Sequence, residues 1–77
     1  MKTDVFRTSD IVLAACLKIN DYQLVTIERN GSKGIFVFAE VPDEFVSDFD
    51  LGKVRVEPVE FNNTIKTLTT AVRRMRT

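Results

Sequence analysis

From Leu24 to Glu40 the chain reads LVTIERNGSKGIFVFAE, two apolar runs joined at Asn30-Gly31. Alternation of Val25 and Ile27 with Thr26 and Glu28, followed by the aromatic and β-branched run Ile35–Phe38, predicts strands near 23–29 and 33–40. Asn-Gly suits the tight primed turns of hairpins, which need positive φ, so the two strands are expected to pair antiparallel. With Asn30-Gly31 alone as the loop, Val25 faces Phe36; a four-residue loop through Lys33 shifts the pairing but leaves each residue on its face. Val25, Ile27, Phe36 and Phe38 then form the main core face. The opposite face carries Leu24, Ile35, Val37 and Ala39 beside Thr26 and Glu28, too apolar a set to stand wholly in water.

The flanking segments change period. Thr8-Ser9-Asp10 precedes IVLAACLKI, in which every residue but Lys18 is apolar, so a helix is expected over about 9–19, with a hydroxyl capping its first amides and an acid at the positive end of its dipole. Apolarity around the whole circumference implies burial on more than one side, by a sandwich of elements or a subunit interface. Val41-Pro42-Asp43 opens a short helix with Phe45, Val46 and Phe49 on one side and Gly52 placed to end it. Lys53–Glu57 alternates strictly and is bounded by Gly52 and Pro58, which predicts a third, edge strand at Val54–Val56. Pro58 starts a last helix to about residue 76, on which Phe61, Ile65, Leu68, Val72 and Met75 make one stripe. Its threonines are poor helix formers, so packing must hold it. The expected fold is α+β in the order α-β-β-α-β-α: one small domain over residues 1–77, with a small antiparallel sheet built on the central hairpin and helices packed against it.

At 77 residues the chain is near the size at which a single core supplies only about 3–5 kcal/mol, and self-association is one route to more. Cys16 is the only cysteine and there is no histidine, which excludes an internal disulfide and leaves no metal site expected. Eleven basic and eleven acidic residues cancel, so no global field favours a polyanion or a membrane surface. Met1–Thr8 is polar, and the run at Ile11–Ile19 falls far short of the roughly 20 apolar residues that span a bilayer. No membrane partner is expected, and a reducing cytoplasm is.

Candidate chemistry is thin. Gly31-Ser32-Lys33-Gly34 lacks the length and the following helix of a phosphate loop, and a nucleic-acid-clamping GXXG loop sits between helices, so a hairpin turn accounts for it. Cys16 lies among apolar neighbours that would solvate a thiolate poorly, and without histidine a Cys-His or Ser-His-Asp mechanism is unavailable. Glu40, Asp43, Glu44, Asp48 and Asp50 lack the spacing of a calcium loop, and acids on the exposed face of a short helix explain them. No catalytic residue and no cofactor are expected. Lys66, Arg73, Arg74 and Arg76, with Lys53, make the carboxyl end basic; they complement the last helix's dipole or contact phosphates or a partner.

Thr8-Ser9-Asp10, Ala14-Ala15 followed by Leu17, Ile27-Glu28-Arg29 with Gly31, Phe36-Val37-Phe38, and Pro58 followed by Phe61 together give a pattern that resembles a family of small uncharacterised domains encoded by bacteria, phages and other mobile elements. The resemblance spans roughly Phe6 to Met75 and departs from the family pattern at Asn20-Asp21, where a glycine commonly follows the first helix. It implies a mobile-element accessory protein and carries over no catalytic residue. The expected function is a non-enzymatic accessory or binding protein acting through protein–protein contacts, as a homo-oligomer or with a larger partner. The alternative is nucleic-acid binding through the basic end.

Overall fold

The hairpin forms and organises everything else. The structure, a computed structural model, describes Asp4–Met75. Its elements are β1 (Val5–Thr8), α1 (Ile11–Ile19), β2 (Leu24–Asn30), β3 (Lys33–Ala39), α2 (Asp43–Asp50) and α3 (Pro58–Arg74), an α+β chain in the order β-α-β-β-α-α. The antiparallel sheet runs β1-β3-β2, with β3 in the centre. Along its shortest axis the molecule is 18 Å deep, room for one sheet and one layer of helices about 10 Å across.

The third strand is therefore Val5–Thr8, and the strand expected at Val54–Val56 does not form. Lys53–Glu57 keeps its alternation, with Val54 and Val56 half-buried, but pairs with no strand. Alternating polarity reports that one side of an extended segment is covered; it does not supply a ladder partner. β1 has only four residues, and its signal is a single apolar residue aimed at the core, Phe6, which faces Phe38.

The strands take the register of the longer of the two expected loops, with Arg29 opposite Gly34, and one further pair tightens the turn. Asn30 pairs with Lys33, so the loop is Gly31-Ser32; Gly31 takes φ 66° and Ser32 does not have positive φ, the pattern of a turn with glycine at its first central position. Ile27 consequently faces Phe36, and a bulge between Leu24 and Thr26 adds one residue to β2. Past the bulge the faces exchange. Leu24, not Val25, lies opposite Phe38 and packs on the core, and Val25 is left 50% exposed.

α1 and α3 lie on the face carrying Phe36 and Phe38, and the core joins these to Leu13, Ala14, Ala15, Leu17 and Leu68. Five consecutive residues of α1, Leu13–Leu17, are buried, because the sheet and α3 enclose the helix while Phe45 and Phe49 of α2 pack against the same core. Most of the apolar circumference of this helix is thus covered within the chain, with Val12 left 43% exposed. Its cap is Asp10 rather than the hydroxyls: the Asp10 carboxylate accepts from the Val12 and Leu13 amides at 2.9 and 3.2 Å, and the Thr8 hydroxyl accepts from the Asp10 amide one step further out. α3 begins at Pro58 as expected, with the Glu57 carboxylate accepting from the Glu60 amide at 2.7 Å. Pro42 serves as the cap of α2 rather than its first helical residue.

α1 and α2 end in the same motif with different residues. The Tyr22 amide donates to Leu17 and the Asp21 amide to Lys18; the Lys53 amide donates to Asp48 and the Gly52 amide to Phe49. The residue in the left-handed position is Gly52 (φ 73°) after α2 and Asp21 (φ 69°) after α1. Asp21 has a Cβ in a conformation that disfavours one and an anionic side chain at the negative end of a helix dipole. Asp21→Gly is expected to stabilise the protein by up to about 1 kcal/mol, raising the melting temperature by a few degrees. A variant that melts at or below the parent would show that the Asp21 carboxylate makes a compensating contribution.

Candidate functional site

α3 presents its Phe61–Met75 stripe inward, with Leu68 fully buried, and its opposite side to solvent. Lys66, Arg73 and Arg74 are all exposed; Arg76 lies outside the described residues. Lys66 and Arg74, eight residues apart, share one shallow depression with Thr67, Thr70 and Ala71. Arg73, seven residues from Lys66 and so close to its row on the helix, lines a different hollow. Of the three that are described, Lys66 and Arg74 line one depression and Arg73 another, nearer the start of α1.

Arg73 stands at the rim of a hollow of about 250 Å³ between the start of α1, the hairpin turn and the end of α3. Ile11, Phe36 and Val72 make it apolar, and the hydroxyl-bearing residues Ser9, Ser32 and Thr69 line it with Arg73. Its shape depends on Gly34, which lies on β3 directly beneath α3: a Cβ there would stand 2.7 and 3.1 Å from the two methyl carbons of Val72. Beside it, Arg29 donates to the Met75 carbonyl at 3.2 Å and ties β2 to the last turn of α3. Sequence spacing could not join Ser9, Ser32 and Arg73, which come from three elements. Gly34, read as part of the turn, belongs instead to this packing.

At the other end of the α1–α3 seam, Lys18 and Glu57, Glu60, Asn63, Thr64 and Thr67 line an open polar depression. The Thr64 and Thr67 hydroxyls are turned back on the Glu60 and Asn63 carbonyls, as threonines inside a helix commonly are.

Among the described residues no helix packs on the second face of the sheet. It carries Val5 and Arg7 from β1, Ile35, Val37 and Ala39 from β3, and Thr26 and Glu28 from β2. Arg7 sits opposite Val37 and Glu28 opposite Ile35, so their ion pair (3.3 Å) spans the central strand. Both partners are about half exposed, and the pair contributes about 0.2–1 kcal/mol. Val37 is buried, whereas Val5 at one edge is 42% exposed and the bulged Val25 half exposed.

Cys16 is buried in α1, and that burial, followed by the charge of Asp10, pushes its thiol pKa upward, away from a nucleophilic thiolate. Asp43, Glu44, Asp48 and Asp50 lie along the exposed side of α2. Among the described residues no group of three or more His, Cys, Asp and Glu gathers as metal ligands would, and no helix is long and apolar enough to cross a membrane. Comparison of the chain with family models, with curated proteins and with solved structures finds no match.

Proposed function

We propose that this chain is a small non-enzymatic accessory protein of a phage or other mobile element, active in the cytoplasm through protein–protein contacts, as a homo-oligomer or with a larger partner. The observation that supports this reading is the sheet face turned away from α1 and α3, where Val5 at one edge and the bulged Val25 at the other stay exposed beside the half-buried Ile35 and Ala39. In a domain this small, exposed valines on a sheet face are a large share of the apolar surface available to a partner. The second reading, nucleic-acid binding through Lys66, Arg73, Arg74 and Arg76, draws support from the shared depression of Lys66 and Arg74. The zero net charge weighs against it.

Sedimentation of the parent and of the V5E/V25E variant discriminates between them. The parent is expected to exceed the monomer mass at tens of micromolar, and the variant to associate less while melting like the parent, since both residues are substantially exposed. A strictly monomeric parent removes the homo-oligomer. Retarded migration of a generic oligonucleotide by the parent, lost in R73E/R74E/R76E and fading as salt rises, would establish the second reading instead.

A further inference from the structure

The apolar hollow beside Arg73 and the most exposed large apolar residue of the described chain are complementary in size and charge. Leu51, at the end of α2, is 67% exposed and follows directly on Asp50, while Asp43, Glu44 and Asp48 precede it on the same short helix. The hollow offers an apolar floor from Ile11, Phe36 and Val72, with Arg73 the charged group at its rim and no acid lining it. Its roughly 250 Å³ lies below the usual range of about 300–1,000 Å³ for small-molecule sites and suits an inserted side chain. The depressions on α3 are lined mainly by polar and charged side chains, with Val59 and Ala71 their apolar residues, and lack the aromatic and aliphatic floor of this hollow.

Within one molecule the two features lie toward opposite ends of α1. The α2 segment is anchored near the carboxyl end of α1: Tyr22, just past that end, stacks edge-on against Phe45 at 5.2 Å, and Glu57, shortly after Leu51, shares a depression with Lys18. The hollow lies at the amino end of α1, beside Ser9 and Ile11.

We propose that the hollow is a docking site for a second copy of this chain, which inserts Leu51 between Ile11 and Val72 and sets Asp50 against Arg73. The proposal rests on the protein–protein reading above and specifies one contact for it. Because the two surfaces differ, the contact is head-to-tail, and it builds rings or open chains rather than a closed two-fold pair. The acidic α2 segment of one copy then offsets the basic end of the next, which gives a chain of zero net charge a use for its internal polarity.

Charge reversal tests this on the full-length protein. R73E and D50R each place like charges at the contact, and each alone is expected to weaken self-association at least tenfold by sedimentation, with little change in melting temperature because both positions are exposed. Mixing R73E with D50R in equal amounts makes every tip complementary to the other variant's hollow, so assembly is expected to return in the mixture, more strongly at low salt. L51A is expected to weaken association without affecting the charge pairing. If the parent associates and R73E, D50R and their mixture all behave like it, the head-to-tail contact is overturned while the protein–protein reading stands, and V5E/V25E then reports on the sheet face. A parent that stays monomeric at tens of micromolar overturns this contact and the homo-oligomer together, leaving the larger-partner form of the reading to a pull-down.

Discussion

Phe38→Ala is expected to lower stability by about 2–5 kcal/mol, as is Leu17→Ala, which in a domain of this size unfolds much of the population at room temperature. Both side chains have no exposed surface. Phe38 stands at the centre of the sheet, between Phe6 of β1 and Leu24 of β2, and its ring is covered from the helical side, so no neighbour can collapse into the space without moving a strand. Leu17 is the last buried residue of α1, and its carbonyl accepts the Tyr22 amide in the motif that ends the helix. Chemical denaturation of the two variants measures the effect. Parent-like midpoints would show that the core lies elsewhere than in the cluster of Leu13, Leu17, Phe36, Phe38 and Leu68.

Gly34→Ala is the second large effect, and its sign is informative. In a strand, alanine ordinarily gains about 0.5–1 kcal/mol over glycine by restricting the unfolded chain. Here the added methyl would stand 2.7 Å from one Val72 methyl carbon and 3.1 Å from the other, and a β-branched residue in a helix has one strongly preferred rotamer with which to avoid it. The substitution is therefore expected to destabilise by about 1–3 kcal/mol, by pushing the end of α3 off the sheet. In a Val72→Ala background the same change is expected to be neutral or stabilising, since the opposing methyls are gone. The four proteins form a double-mutant cycle read by denaturant midpoint. An additive cycle would show that α3 is not seated against Gly34, and would also remove one wall of the hollow beside Arg73.

The difference between Gly34 and Gly31 illustrates what local sequence can say. Gly31 is legible from its neighbours, because a hairpin turn between two β-rich runs demands positive φ, and glycine supplies it. Gly34, three residues away in the same string, is needed because another element passes over it, and no local rule announces that. The hollow shares this property. Ser9, Ser32, Thr69 and Arg73 carry no common spacing, and only the antiparallel sheet with α1 and α3 side by side brings them to one rim.

Composition and periodicity alone determined the α+β class, the central hairpin, the helices near 11–19, 43–50 and 58–74, the inward stripe of α3 and the stop at Gly52, because each is written in the spacing of apolar residues or in a backbone requirement of one residue type. Tertiary structure decided which extended segment became the third strand: Lys53–Glu57 alternates strictly and pairs with no strand, whereas Val5–Thr8, which does not alternate, reaches β3. It decided the exchange of Leu24 for Val25 on the core face, because a bulge costs one unpaired residue that burial of Leu24 against Phe38 can offset. It decided too that Arg73 borders a hollow that Lys66 and Arg74 do not, since spacing along α3 fixes the angles between these residues while the packing of the buried stripe decides which neighbouring element each one meets.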